Sequence, residues 1–141
     1  MHKIYRRLTA AAAFLLLAGA AAAQDSDWYH QREERYRGEH WRGRLFAEVR
    51  EDLDHVHTSV FAARDEYRMV RTKEELNELQ DSLAAHRYDE AKLDNVIRAM
   101  QKVVADNRMR DRDRDMLNDD LQRMRDYRAH HERWLQEHEE R

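Results

Sequence analysis

Apolar residues recur at alternating intervals of three and four after position 43, which is the period of one face of an α-helix. The members of this stripe are Phe46, Val49, Leu53, Val56, Val60, Ala63, Tyr67 and Val70. Thr58 and Ser59 interrupt it with hydroxyl side chains that compete for backbone hydrogen bonds. We therefore expect a first helix over about 44–57, a short bend, and a second helix over about 61–86. The stripe runs from the first helix into the second, which also carries Leu76, Leu79 and Leu83.

The clearest helix boundary follows the second helix. Asp89 can cap a new helix by accepting hydrogen bonds from the free N–H groups of its first turn. Tyr88 before the cap and Leu93 after it stand at the two positions of a hydrophobic staple. These signals predict that a third helix begins at Asp89.

Two further helices complete the pattern. The third carries a broad apolar face, formed by Leu93, Val96, Ile97, Met100, Val103 and Val104. It is expected to end near Asn107, since Asn can take the left-handed conformation that closes a helix. A fourth helix is expected over about 110–137, and the three-four spacing there selects Leu117, Leu121, Met124, Arg128, His131, Leu135 and His138.

The scarcity of turn-forming residues favours long helices. The chain has no Pro and only three Gly, and these are the residues that most often interrupt regular structure. The predicted connections are short, and short connections place neighbouring helices antiparallel. The sequence therefore predicts an all-α fold, an antiparallel bundle of three or four long helices, with the number depending on the region around Thr58.

The N-terminal segment has the pattern of an export signal. Cationic residues precede a short apolar run over 8–18, and small residues at 21–23 match a signal peptidase site. We expect residues 1–23 to be cleaved, which makes the protein periplasmic or secreted. Residues 24–43, polar and rich in Arg and aromatic side chains, are expected to form a flexible N-terminal arm, and residues 44–138 the helical bundle domain.

Charge and composition limit the classes of partner. Three of the 26 Lys and Arg residues and none of the 29 Asp and Glu residues lie in 1–23, so the remaining chain carries a formal charge of −6. An acidic chain is not expected to bind nucleic acid, because phosphate contacts require an excess of positive charge. No integral membrane span is expected after cleavage. With 39% charged residues the core is thin, which is compatible with a homodimer formed through an exposed apolar stripe.

Four histidines are the candidate metal ligands, namely His55, His57, His130 and His131. On a continuous helix the side chains of His55 and His57 point about 200° apart, so they chelate one ion only if the helix breaks at Thr58. The alternative is a solvated pair. An ion at His130 or His131 needs ligands from another helix or chain, and the alternative there is a polar helix tail with histidines on its surface.

Catalytic motifs are not found in the sequence. There is no Gly-x-Ser-x-Gly segment and no Gly-rich loop for phosphate. The absence of Cys excludes thiol catalysis and Cys-based zinc sites. The methionines are interpreted as core residues and not as haem ligands. We therefore expect a protein that is not an enzyme and has no cofactor.

Three short segments resemble a known family. The segment Leu76–Gln80 is similar to the L-T-x-x-Q signature of the Spy/CpxP group of periplasmic helical stress proteins, with Asn77 where that signature has Thr. A weaker echo lies at Leu117–Leu121, and Arg87–Glu90 looks like the aromatic-Asp-Glu helix start common in that group. The resemblance implies an exported all-helical protein with a chaperone-like or envelope-stress role.

The sequence as a whole favours an exported helical protein that binds other proteins, either a client or a specific partner. Two alternatives remain open. One is a metal-binding or metal-sensing protein that uses the four histidines, and the other is a structural envelope protein whose long helices self-associate.

Overall fold

The computed structural model of the protein describes residues 27–37 and 43–139, with side chains as far as His131 at the C-terminal end. The expected signal peptide, 1–23, lies outside these described residues. Regular structure within them is helical, which confirms the all-α prediction. The helices are α1 over 27–35, α2 over Leu45–His57, α3 over Ala63–Ala84, α4 over Glu90–Asp106 and α5 over Asp111–Glu139. Among the described residues, no helix is long and apolar enough to cross a membrane.

Helix α1 lies in the segment for which the sequence predicts a flexible arm. It belongs to the first of two compact units, which divide at Gly43. Its Arg side chains lie over aromatic rings one and two turns away. The Arg32 guanidinium is 4.6 Å from the centre of the Tyr36 ring, and the Arg35 guanidinium is 5.9 Å from that of Trp28. The rings of the adjacent residues Trp28 and Tyr29 meet edge to face at 5.3 Å. Cation–π contacts of this kind favour the helical turns that bring their members together.

The second unit is a closed ring of four helices. Helix α2 packs against α3 and α5, α3 packs against α4, and α4 packs against α5. Connections of four or five residues, over 58–62, 85–89 and 107–110, join the helices, so neighbours run antiparallel. The structure thus confirms the predicted bundle, and in the second unit the number of helices is four because the chain breaks at Thr58.

The helix boundaries follow local signals in the sequence. The Asp89 carboxylate accepts a hydrogen bond from the Lys92 backbone N–H at 3.1 Å, which confirms the predicted cap of α4. The predicted left-handed cap at Asn107 is wrong, because that residue is extended, with φ −76° and ψ 143°. The left-handed residue is instead His86, with φ 56°, just after α3.

Asn107 is extended because its polar atoms are held from three sides. Its Oδ1 accepts from Arg68 Nε at 2.7 Å, its Nδ2 donates to the Asp65 backbone oxygen at 3.1 Å, and its own backbone oxygen accepts from Arg114 at 3.1 Å. Asn107 is only 2% exposed. The α4–α5 connection is therefore fastened to the first turns of α3 by a buried amide.

The prediction for the apolar face of α3 is confirmed for Leu76 and Leu79, which are buried, and wrong for Tyr67 and Val70. Its core face is formed by Met69, Thr72, Leu76 and Leu79, all fully buried, whereas Tyr67 and Val70 of the predicted stripe are exposed. The three-four spacing continues across the connection 58–62, but the chain turns there. Helix α3 consequently begins with a new rotational phase, and the stripe of α2 does not extend into it.

Candidate functional site

The outer face of α3 is the row of exposed residues Ala63, Tyr67, Val70, Glu74, Asn77 and Asp81. Its N-terminal half is apolar. Tyr67 is 71% exposed and Val70 is 39% exposed, and Phe61, in the connection just before the helix, is 91% exposed. These are the large hydrophobic side chains that stand out as exposed in the part of the chain that the structure describes.

The spacing of these residues makes them a patch. Tyr67 and Val70 are three positions apart in one helix, so their side chains are neighbours on its surface. Ala63 lies one turn before Tyr67 on the same face. Single exposed apolar residues are ordinary, but a group of them on the surface of a folded protein marks an interaction site. We call Phe61, Tyr67 and Val70 the apolar patch.

The second half of the outer face is acidic. Glu74 and Asp81 lie on the face itself and Glu78 at its edge, all exposed. The Arg71 guanidinium, beside the apolar patch, contacts Glu75 at 2.7 Å and Glu74 at 3.9 Å. Glu78 and Asp81 form no ion pair with another described residue. The face therefore presents apolar side chains at one end and two unneutralised carboxylates at the other.

A charged cluster ties α2 to the same part of α3. Lys73 Nζ lies 2.6 Å from Asp54 Oδ1 and 2.6 Å from His57 Nδ1, and His57 Nε2 lies 2.6 Å from Glu66 Oε2. An ammonium can only donate and a carboxylate can only accept. His57 therefore accepts at Nδ1 and donates from Nε2, as the neutral imidazole does. The cluster joins the start of α3 to the end of α2, while burial of Met69, Leu76 and Leu79 turns Tyr67 and Val70 outward.

This cluster bears on the predicted metal ligands. Both ring nitrogens of His57 are engaged and its side chain is 22% exposed, so it is not one half of a solvated pair with His55. A metal ion would have to displace Lys73 or Glu66. In the described part of the chain, no three His, Asp or Glu side chains come together in a group that could hold an ion.

The other predicted ligands lie on α5. His130 is exposed, as expected of a polar helix tail. His131 is 5% exposed, so the interpretation of it as a surface histidine is wrong. Its ring stacks on Tyr88 with 3.4 Å between centroids and 13° between planes, and Tyr127 contacts both rings. The spacing rule, which placed His131 on the stripe of α5, is confirmed for that residue, but Arg128, which the rule also selected, is exposed.

Burial of this aromatic group changes the acidity of its phenols. Burial, with the nearby Glu90 carboxylate, raises the pKa of Tyr88 to about 12, and burial also raises the pKa of Tyr127. Arg128 bonds to Asp94 and to Glu90 at 2.6 Å each, and the bond to Asp94 raises its pKa. Both phenols are neutral at physiological pH. The contacts of the Tyr88, Tyr127 and His131 rings, with the ion pairs of Arg128, join α5 to the start of α4.

Sequence reasoning missed several of these residues. Phe61 does not fit the three-four spacing, but an aromatic residue directly after a predicted break was a usable signal of exposure. Lys73 and Glu66 gave no signal, because they meet His57 across 16 and 9 residues of chain. Such contacts depend on how α2 and α3 pack together.

Comparison with known proteins assigns the chain to no family. No family model, no curated protein and no solved structure matches it. The segment similar to the Spy/CpxP signature lies in α3, where Leu76 and Leu79 are core residues and Asn77 and Glu78 are exposed. The resemblance therefore stays a prediction. The feature that bears on function is the exposed outer face of α3.

Proposed function

We propose that this protein is a non-enzymatic, exported helical bundle that binds other polypeptides through the outer face of α3. The observation that carries the proposal is the exposure of Phe61 and Tyr67, at 91% and 71%, in a bundle whose other large apolar side chains are mostly buried. Contact between an exposed aromatic side chain and water is unfavourable. Binding of a partner that covers the side chain is therefore favoured. The expected chaperone-like or envelope-stress role is part of the proposal.

Arg64 and Arg71 lie beside the apolar patch, and the charge that selects the chemistry of the partner lies further along the face. Glu78 and Asp81 continue the face with negative charge, and the chain beyond residue 23 carries a formal charge of −6. A segment with apolar side chains followed by Lys or Arg complements this surface. Charges of this kind mainly increase the rate of encounter and set the orientation of the bound segment.

The binding is expected to be weak and reversible. Covering one large apolar side chain contributes about 1.5–3 kcal/mol, and association itself costs several kcal/mol in lost motion. Two aromatic residues and one Val therefore support a dissociation constant in the micromolar to millimolar range. A protein that holds unfolded chains briefly and releases them requires binding of this strength.

Suppression of aggregation tests the proposal. A chemically denatured client protein is diluted into buffer with the purified protein, and light scattering follows its aggregation. The wild type is expected to suppress scattering near equal molar ratio, and the double variant Phe61→Ser/Tyr67→Ser to lose most of that effect. Because both positions are exposed, the variant should fold normally.

A matched control uses two exposed residues of α4, in the variant Gln101→Ser/Lys102→Ser. This control should suppress scattering as the wild type does. Equal activity of the wild type and the Phe61/Tyr67 variant would show that binding, if any, takes place elsewhere. No suppression by the wild type at several-fold excess would remove the client-binding proposal.

A further inference from the structure

We infer that a second copy of this chain covers Tyr67 and Val70 of the apolar patch when no other polypeptide does, through parallel pairing of the two α3 helices about a two-fold axis. The inference rests on the proposed function in one respect only, that the outer face of α3 is a binding surface. It adds the identity of one occupant, the direction of the paired helices and the residues that set the register.

The outer face follows a seven-residue repeat. Ala63, Tyr67 and Val70 are spaced four and three apart, as the alternating a and d positions of a two-stranded coiled coil are. In this frame Ala63 and Val70 take d and Tyr67 takes a. All three are exposed, so the seam positions are open to a partner helix.

The charges beside the seam complement each other across a parallel pair. In this frame Glu66 takes position g and Arg71 takes position e, and in parallel coiled coils a g residue meets the e residue five positions later on the partner. Glu66 of one copy therefore faces Arg71 of the other, twice by symmetry. Lys73 and Glu78 have the same relation, but Lys73 is bound to Asp54 and His57 of its own chain, so it adds no pair across the contact.

The side chains have the freedom to make these pairs. Glu66 is 48% exposed and Arg71 is 58% exposed. Glu66 now binds His57 through Oε2, and its second carboxylate oxygen can accept from a partner. Arg71 has five N–H donors, of which the contacts to Glu75 and Glu74 use a part.

Antiparallel pairing is the competing arrangement, and the same charges oppose it. Antiparallel helices bring e positions against e positions. The e positions beside the apolar patch are Arg64 and Arg71, both exposed, so guanidinium groups would meet along one side of the seam. Like charges in such places destabilise the pair, which leaves the parallel direction.

The acidic half of the face limits the length of the contact. Glu74 takes the next a position after Val70, where two copies would place two carboxylates together. The paired region therefore ends after about two turns of α3. A contact this short buries less than about 1,200 Å², the size of weak and transient complexes. We expect a dissociation constant of roughly 10–1,000 μM.

Sedimentation velocity over a concentration series tests this inference with a charge exchange. The wild type is expected to pass from monomer to dimer across the range above. The single variants Glu66→Arg and Arg71→Glu should each weaken association about tenfold or more, because each turns two attractions into two repulsions. The double variant Glu66→Arg/Arg71→Glu restores opposite charges across the pair and should recover dimer formation.

The folding of each variant is checked by circular dichroism, since Glu66→Arg also removes the contact with His57. Glu74→Gln tests the same geometry without touching that contact, and it should strengthen the dimer several-fold. A wild type that stays monomeric up to millimolar concentration overturns the inference. A folded double variant that associates no better than the single variants also overturns it, since it shows that Glu66 and Arg71 do not meet.

The two proposals fail separately. If the protein stays monomeric and suppresses client aggregation, the dimer inference is wrong and the proposed function stands. If the protein dimerises and responds to the charge exchange but suppresses no aggregation, the client-binding proposal is wrong and the pairing of α3 stands.

Discussion

Replacing Asn107 by Ala should destabilise the bundle strongly, although the residue lies in a connection between helices. The substitution removes the acceptor of Arg68 Nε, at 2.7 Å, and the donor to the Asp65 backbone oxygen, at 3.1 Å. The site is 2% exposed, so water cannot replace these bonds freely. A buried polar group left without its partner costs about 1–3 kcal/mol, and the total expected loss is about 2–4 kcal/mol.

Urea unfolding followed by circular dichroism measures this loss. With an m-value of about 1–1.5 kcal/mol/M for a bundle of this size, the midpoint should fall by roughly 1.3–4 M. Asn107→Asp sharpens the test, because it keeps the acceptor for Arg68 but replaces the amide donor by a carboxylate beside Asp65. It should destabilise at least as much as Asn107→Ala.

Asn95→Ala is the matched control. The Asn95 side chain also accepts from an Arg, Arg98 at 2.8 Å, but this bond is exposed and lies within one helix. Its loss should cost less than about 0.5 kcal/mol. If Asn107→Ala costs no more than this control, the buried amide does not fasten the α4–α5 connection to α3, and the reasoning is refuted.

The remaining predictions concern stability and pH. His86→Gly should raise the free energy of unfolding by up to about 1 kcal/mol in urea titrations, because Gly takes the left-handed conformation without the cost that other residues bear; a destabilised variant would contradict this. Since the pKa of Tyr88 is raised to about 12 in the folded state, the unfolded chain loses this proton first. Stability should therefore fall as pH rises from about 10 to 12, less steeply in Tyr88→Phe, and equal pH dependence would contradict it. Leu79→Ala, at a fully buried position, should cost about 2–5 kcal/mol, and a loss under 1 kcal/mol would place Leu79 outside the core.

The sequence predicted the helices well because their limits are set by local signals. The cap at Asp89 depends on atoms three residues apart, and helix α3 was expected over about 61–86 and is found over Ala63–Ala84. Rules of this kind need no knowledge of the rest of the fold. The aromatic and Arg residues of 27–35 form a helix that apolar periodicity does not indicate, because its side chains pair by cation–π contacts.

The rotation of α3 could not be predicted in the same way. Periodicity tells which residues share a face, but it does not tell which of two faces meets the core after a turn of five residues. Leu76 and Leu79 were predicted for α3 and are buried, but in the first half of the helix Met69 completes their face and Tyr67 does not. In the observed rotation of α3, Lys73 also contacts Asp54 and His57 of α2. The candidate surface thus results from packing that no local pattern contains.

The central claim, that the outer face of α3 binds polypeptides, is tested most directly by a titration followed in ¹⁵N–¹H NMR spectra. The probe is a peptide of alternating apolar residues followed by several Lys and Arg, and the control is the same peptide with Glu in place of the cations. The account predicts that the cationic peptide shifts the amide signals near Phe61, Tyr67 and Glu78, and that the acidic peptide binds more weakly at the same place. Shifts that cluster on another helix, or no saturable shifts at millimolar peptide, would contradict it.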